Sequence, residues 1–478
     1  MNPPFTRPTN HEKAEVPVPS FAGLGTSEDE QRQMSNRLKK ICAGLKKRGY
    51  LAGHGNAGLA SNFIDLAHVK TRPGGVLALV LPAAFVSGSS WENSRRLLKS
   101  EYKDLTVLTI AAHGQTDRAF SADTGMAEAL VVANKCRGGQ QGSGETLFVN
   151  LYHRPRSLAE AFEVARAVSR LSPQARQGRI YIGDRETIGT YIWAPLNEGG
   201  CASLRETTLA STAIGLATGT LQLPQGYSTT LPTTQLGVLG KEGLYHLDII
   251  GGISKGVPRG PFKKIAIQGV PQYPMLWSHN AKQERGLVVP PDSEGEVRPG
   301  CDSRAIEVWN TTASRLHFNL DFQINSQSLT ACLTPTEAIG GTAWPNFIPS
   351  QDKWTLPLVL WANTALGHLA FWWIGTRQQQ GRARLTITQL PRLTVLDPRH
   401  LSEGQIAQAE DIFEAFKEAE FLPANEAYRD DTRKALDRAI LVDLLRLPES
   451  ILEPLSILRD QWCAEPSVHG GKSTRIDV

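Results

Sequence analysis

The apolar positions of this chain change spacing several times, and each change marks a different element. After Ser27, with Asp29 and Glu30 giving an acidic start, Met34, Leu38, Ile41 and Leu45 recur at helical intervals as far as Lys47. Arg37, Lys39, Lys40, Lys46, Lys47 and Arg48 make the other face of that helix basic. A shorter helix is predicted after Ser61 and Asn62, with Phe63, Leu66 and Ala67 apolar, stopping near Pro73-Gly74-Gly75. Val76 to Pro82, VLALVLP, is apolar throughout and of strand length, which predicts a central parallel strand. A Ser/Gly loop over Val86 to Ser90, a helix from Trp91 to about Lys99, and strands at Leu105 to Ala111 and Ala127 to Ala133 continue the alternation. The first 135 residues therefore predict part of an open, helix-covered α/β sheet.

The texture then changes. A strand at Leu147 to Tyr152 and a helix at Leu158 to Leu171 precede a stretch, residues 205 to 350, dense in Thr, Gly, Pro and short strand-like pieces. Seven of the ten tryptophans lie between Trp277 and Trp373, where core positions are expected of them. Thr355 to Gly375 carries no formal charge over about 20 residues, enough to span a bilayer. Pro357, Asn363, Thr364, Gly367 and His368 interrupt it, so a buried strand turning into a buried helix is expected, and no membrane span. From Ser402 to Trp462 helical spacing returns, with Ile406, Ala409, Ile412, Phe413 and Phe416 on one face and Leu436, Ile440, Leu441, Leu444 and Leu445 on another. The expected organisation is 1–150, 151–400 and a helical segment with a tail over 401–478.

Composition narrows the class. With 41% hydrophobic and 21% charged residues the 478-residue chain reads as folded and globular, neither disordered nor a coiled coil. A net charge of +4 permits a polyanionic partner without requiring one, so local charge decides. Cys42, Cys136, Cys201, Cys301, Cys332 and Cys463 are scattered, with no C-x-x-C pair, so neither a disulfide framework nor a metal site is expected. Pro3, Pro4, His11 and Glu12 stand where a secretion signal needs a basic start and an apolar run, which predicts a cytoplasmic protein. His113, His153 and His317 read as ordinary surface or core histidines.

The residues with the most chemistry are Asn2-Pro3-Pro4-Phe5. The tetrapeptide is similar to the catalytic signature of methyltransferases acting on exocyclic amino groups of nucleobases. That resemblance implies an acceptor such as an adenine amino nitrogen, a poor nucleophile because its lone pair is conjugated into the ring. The Asn2 amide oxygen and the Pro3 carbonyl could both accept its hydrogens, favouring a pyramidal nitrogen aimed at an incoming methyl. Pro3 and Pro4 stiffen the loop, and Phe5 would stack on a base swung out of the duplex. Downstream, Phe63-Ile64-Asp65-Leu66-Ala67, Pro73-Gly74-Gly75, Val76 to Pro82, Ser87-Gly88-Ser89-Ser90-Trp91 and Arg95-Arg96-Leu97-Leu98 follow in order. Phe120, Thr124-Gly125-Met126 and Ala129-Leu130-Val131-Val132, ending at Lys135, complete the series. Together these 135 residues resemble the adenine-specific DNA methylases of type I and type IIG restriction–modification systems.

That resemblance implies an incomplete Rossmann-like methyltransferase core, then a mixed α+β target-recognition region and a helical C-terminal segment. It also implies S-adenosylmethionine as methyl donor, double-stranded DNA as partner, and catalysis by Asn2, Pro3, Pro4 and Phe5. In the family the cofactor site precedes the tetrapeptide, so the chain reads as the C-terminal part of a truncated or split enzyme needing a second chain. The alternative is a non-catalytic DNA-binding or specificity component. Phe21-Ala22-Gly23-Leu24-Gly25 and Gly53-His54-Gly55-Asn56-Ala57-Gly58 have the spacing of nucleotide-binding turns. Pro17 and Pro19 precede the first and a basic helix the second, so neither has the strand it needs.

Base reading asks for Arg, Gln and Asn side chains, whose donors and acceptors match guanine and adenine edges. Arg377, Gln378, Gln379, Gln380, Arg382 and Arg384 gather these types in one run. Asn363, Thr364, Leu366-Gly367, Gly381 and Leu390-Pro391 around it resemble the closing pattern of target-recognition domains in these enzymes. Lys255, Arg259, Lys263 and Lys264, around Pro261-Phe262, form a second basic group suited to phosphate positioning.

Overall fold

Pairing order decides what each apolar run does. In the computed structural model the described residues are 2–3, isolated positions between 29 and 47, 52–54, 57–112, 118–121, 127–142, 144–183, 186–254, 257–375 and 381–469. They form a mixed α/β architecture divided into two compact units, one up to Thr207 and one from Thr208. Asp29, Gln33, Asn36, Arg37, Lys40 and Ala43, the positions described within the first predicted helix, are helical and exposed.

The first unit holds α1 (Leu59–Lys70), β1 (Val76–Pro82), α2 (Glu92–Glu101), β2 (Tyr102–Ile110) and β3 (Glu128–Lys135). Then follow β4 (Thr146–Leu151), α3 (Leu158–Val168), β5 (Gln177–Ile182) and β6 (Glu186–Ala194). The sheet order is β1-β3-β2-β4-β6-β5. β3 runs antiparallel to both β1 and β2, β2 pairs in parallel with β4, and β6 is antiparallel to β4 and β5. The strand at 76–82 is therefore not the central parallel strand its composition predicted. Among the described residues it is an antiparallel edge strand, with Leu77, Leu79 and Leu81 buried while Val76 is 64% exposed. An all-apolar run does not reveal how many of its faces are covered, and in this sheet it is β4 that is buried at every position.

The order of the short motifs has a local physical meaning. Gly74, at φ 76°, makes a turn that an L side chain would strain, and Gly74 N and Gly75 O bond the backbone of Lys135. Lys135 Nζ reaches back to His68 O (2.5 Å) and Thr71 O (2.9 Å), placing a cation on the last carbonyls of α1. Arg95 of α2 donates to Phe85 O (2.7 Å) and Gly88 O (2.9 Å), so it pins the Ser/Gly loop that follows β1.

The second unit contains β7 (Phe262–Ile265), β8 (Pro274–Leu276), β9 (Ser293–Val297), α4 (Asp302–Thr312), β10 (Ser314–Phe318), β11 (Asp321–Gln323) and β12 (Ala331–Gly340). Its five-stranded sheet runs β7-β9-β8-β12-β10. Ala305 and Val308 of α4 pack on Phe262, Met275, Trp277 and Ile339. Beyond it lie α5 (Thr355–Ala362), α6 (Ala365–Ile374), β13 (Arg382–Arg384), α7 (Glu403–Phe416), α8 (Asp431–Arg438) and α9 (Leu452–Ala464). Trp277, Trp344, Trp354, Trp361, Trp372 and Trp373 are buried, as expected of core tryptophans.

The stretch 355–375 is two helices, not a strand leading into a helix. It is apolar on all sides because α5 and α6 are buried on all sides, and periodicity does not separate such a helix from a buried strand. Pro357 sits in the first turn, where its missing N–H has no intrahelical acceptor anyway. Asn363 breaks the two apart, donating to Val359 O and Ala331 O and accepting from Thr330 N, and Thr364 caps α6 by accepting from Gly367 N. No helix among the described residues is long and apolar enough to cross a membrane.

Arg433, fully buried on α8, fastens this corner. Its guanidinium donates to Asn363 O (2.6 Å), His368 Nε2 (3.1 Å), Ser328 O (2.9 Å) and Leu422 O (3.2 Å), with Asp430 3.4 Å away. Burial, and then the charge of Arg433, push His368 well below the usual histidine range, leaving Nε2 free to accept. Arg433→Met should cost about 3–5 kcal/mol in urea titrations, because it strands several buried carbonyls and Asp430. Gly367→Ala should cost ~3 kcal/mol, since a Cβ there would stand 2.2 Å from Trp361 O.

Candidate active site

Because β1 and β2 both oppose β3, their C-terminal ends meet at one edge of the sheet, the edge at which open α/β sheets bind ligands. There Pro82 of β1 faces Glu128, the first residue of β3. Glu128 is buried, and the segment 118–121 folds onto its carboxylate. Phe120 N (2.7 Å) and Ser121 N (2.8 Å) donate to one oxygen, Ser121 Oγ (2.8 Å) to the other. Asn2 Nδ2 then donates to Ser121 Oγ at 3.0 Å. Asn2 is exposed and Pro3 buried; Pro4 and Phe5 lie outside the described residues. Arg118, 7% exposed, has its pKa lowered by burial, and it has no carboxylate partner among the described residues.

The glycine-rich segment does not fit a cofactor. Ala52 N and Gly53 N, the donors an anionic ligand would need, each bond the Asp65 carboxyl at 2.8 Å, and His54 N bonds Ser61 Oγ at 2.9 Å. A Cβ on Gly53 would come 2.5 Å from Asn62 Nδ2, so residues 52–54 pack closely on α1. Burial lifts Asp65 to about 6, with the two backbone bonds pulling the other way. These residues therefore do not fit S-adenosylmethionine. Phe21 to Gly25 lie outside the described residues.

The basic groups proposed for DNA lie on separate strands. Lys263 and Lys264 are exposed on β7, and Lys263 Nζ is 3.3 Å from Glu296 of β9. Arg382 of β13 bonds both carboxylate oxygens of Asp321 on β11, whereas Arg384 on the same strand is exposed. Arg259 pairs with Asp248 at 2.9 Å. Lys255, Arg377, Gln378, Gln379 and Gln380 lie outside the described residues. His317 is a core histidine between Trp344 O and Thr334 Oγ1, taken down to about 4 by burial, and His153 is partly exposed 3.6 Å from Glu160. His113 is outside the described residues. Among the described residues no three His, Cys, Asp or Glu side chains gather to hold a metal ion. Cys136, Cys301, Cys332 and Cys463 form no disulfide among the described residues.

Sequence reasoning missed Ser121, Glu128 and Asp65 as participants. Ser121 adjoins the matched Phe120, and Asp65 lies inside the matched helix, but neither Asp65's bonds to residues 52 and 53 nor the contact of Ser121 with Asn2, 119 residues away, is marked by any local spacing.

No protein-family model and no curated protein matches this chain. Among solved structures it is similar to the type IIG restriction endonuclease BpuSI, at 13% identity and a TM-score of 0.37, over 95% of this chain and 53% of that one. The chain thus spans about half the length of that enzyme. It is also similar to a modification subunit of a putative type I restriction enzyme from Vibrio vulnificus YJ016, at 17% identity and a TM-score of 0.20, over 28% of this chain and 31% of that one. The ATP-dependent type ISP restriction-modification enzyme LlaBIII bound to DNA matches at 13% identity and a TM-score of 0.22, over 32% of this chain and 10% of that one.

The raised pKa of Asp65 carries a pH signature. The carboxyl holds its proton more tightly folded than unfolded, so its contribution to stability is complete below about pH 4 and is lost as pH rises through 6. Relative to Asp65→Asn, the natural chain should gain on the order of 3 kcal/mol between pH 7 and pH 4 in urea titrations. A difference that does not change with pH would contradict the burial argument.

Proposed function

We propose that the chain supplies the acceptor and recognition parts of a DNA adenine methyltransferase, which moves a methyl group from S-adenosylmethionine to the exocyclic amino nitrogen of adenine. The observation that carries this reading is the placement of Asn2. Its side chain is anchored, through Ser121, to the C-terminal edge of β1 and β2. There the amide oxygen of Asn2 and the carbonyl of Pro3 would accept the two amino hydrogens, and Phe5 would stack on the extruded base. Holding the nitrogen pyramidal restores its lone pair for attack on the methyl carbon, and the sulfur leaves as the thioether. S-adenosylmethionine would be held by a second chain. Lys263, Lys264 and Arg384 are proposed to touch phosphates, and Arg377 to Gln380 and Arg382 to touch bases.

One observation favours a second reading, a non-catalytic DNA-binding component: Asp65 closes the glycine-rich segment against cofactor. Methyl transfer separates the two. The purified chain, alone and with the polypeptide encoded beside it, is incubated with unmethylated duplex DNA and radiolabelled S-adenosylmethionine, and N6-methyladenine is measured by mass spectrometry. Product in the mixture, reduced about 100-fold or more by Asn2→Ala, is the expected outcome. DNA binding with no transfer in either preparation favours the second reading.

A further inference from the structure

Resting on that reading, we propose that Ser121, held by Glu128, is the residue that positions the Asn2 amide and turns its oxygen toward the acceptor amino group. The number of hydrogens on Ser121 Oγ decides the orientation. A serine hydroxyl has one hydrogen to give and lone pairs that accept. Among the described residues Ser121 Oγ has two partners, Glu128 Oε1 at 2.8 Å and Asn2 Nδ2 at 3.0 Å. Phe120 N and Ser121 N already converge on Glu128 Oε2, and the hydroxyl hydrogen completes the set on Oε1. Ser121 Oγ is therefore an acceptor toward Asn2. Only the NH2 end of the amide can face it, because the flipped amide would set oxygen against oxygen.

The consequence reaches the reacting atoms. With Nδ2 committed to Ser121, Oδ1 is the end of the amide left to accept, and among the described residues no donor meets it. A free amide would present either end at little cost, and its NH2 end would repel the amino group it has to bind. Glu128 is the first residue of β3 and pairs with Pro82 of β1, so the orientation is inherited from the sheet and not from the loop that carries Asn2. Glu128 and Ser121 touch no reacting atom in this scheme. They are positioning residues.

The test reads the amide itself, on the full chain labelled with isotopic asparagine. The side-chain NH2 pair of Asn2 is identified in the NMR spectrum by its loss in Asn2→Asp. Ser121→Ala should move that pair to the position of a solvent-exposed amide, and Ser121→Thr, which keeps the hydroxyl, should restore it. An unmoved pair in Ser121→Ala overturns the proposal. Glu128→Gln, if folded, should also move it; an unmoved pair there removes Glu128 from the scheme. Adenosine separates this proposal from the reading beneath it, with purine riboside, which lacks the amino group, as control. A shift of the Asn2 pair with adenosine but not purine riboside, lost in Ser121→Ala, is expected. The same shift retained in Ser121→Ala overturns the positioning role. No response of the natural chain to adenosine overturns the acceptor reading, whatever the Ser121→Ala spectrum shows.

Discussion

A carboxylate buried in a protein must be met by donors, and the candidate site is organised around that demand at Glu128. Strand pairing places Glu128 at the start of β3, opposite the end of β1, where its side chain is out of water. The segment 118–121 answers with two backbone N–H groups and a hydroxyl. That bonding fixes Ser121, and Ser121 fixes Asn2. The Asn2 side chain thereby acquires a defined orientation relative to a sheet whose first strand begins more than seventy residues later.

The second unit solves the opposite problem. Arg433 brings a set of N–H groups and a positive charge into the core, and carbonyls of Asn363, Ser328 and Leu422, a neutral His368 and the Asp430 carboxylate turn toward it. Those acceptors lie on segments distant in sequence, so one side chain ties the α5–α6 corner to the strand region before it and the helices after it. Asp437 repeats the device, receiving Ala365 N and Arg459. Buried polar groups of this kind specify one arrangement, since any slip leaves several of them unsatisfied at once.

Much of the first unit was legible along the chain. Pro73-Gly74-Gly75, the strand after it and Lys135 are where the spacing put them, and they turn out to bond one another. What was not legible depends on faces and partners. VLALVLP looks the same whether one face or both are covered, and TLPLVLWA looks the same as strand or as a helix buried all round. Arg433 was not singled out along the chain, although its spacing from Leu436, Asp437 and Ile440 sets it on the buried stripe. For the candidate site, the tetrapeptide was visible but its support was not: Ser121 is 119 residues from Asn2, and nothing local marks the pair.

The chemistry follows from these constraints. A glycine-rich segment closed by its own aspartate is poorly suited to a cofactor, while an amide with one end anchored to the sheet is suited to an amino group. The function proposed for the chain is therefore the acceptor side of adenine methylation in DNA. Its most direct test is modification-sensitive sequencing of DNA from a host that lacks adenine methylation and expresses the chain with the polypeptide encoded beside it. The account predicts N6-methyladenine at one short sequence wherever it occurs, and none with Asn2→Ala. Methylated cytosine, or adenine methylation that survives Asn2→Ala, would contradict it.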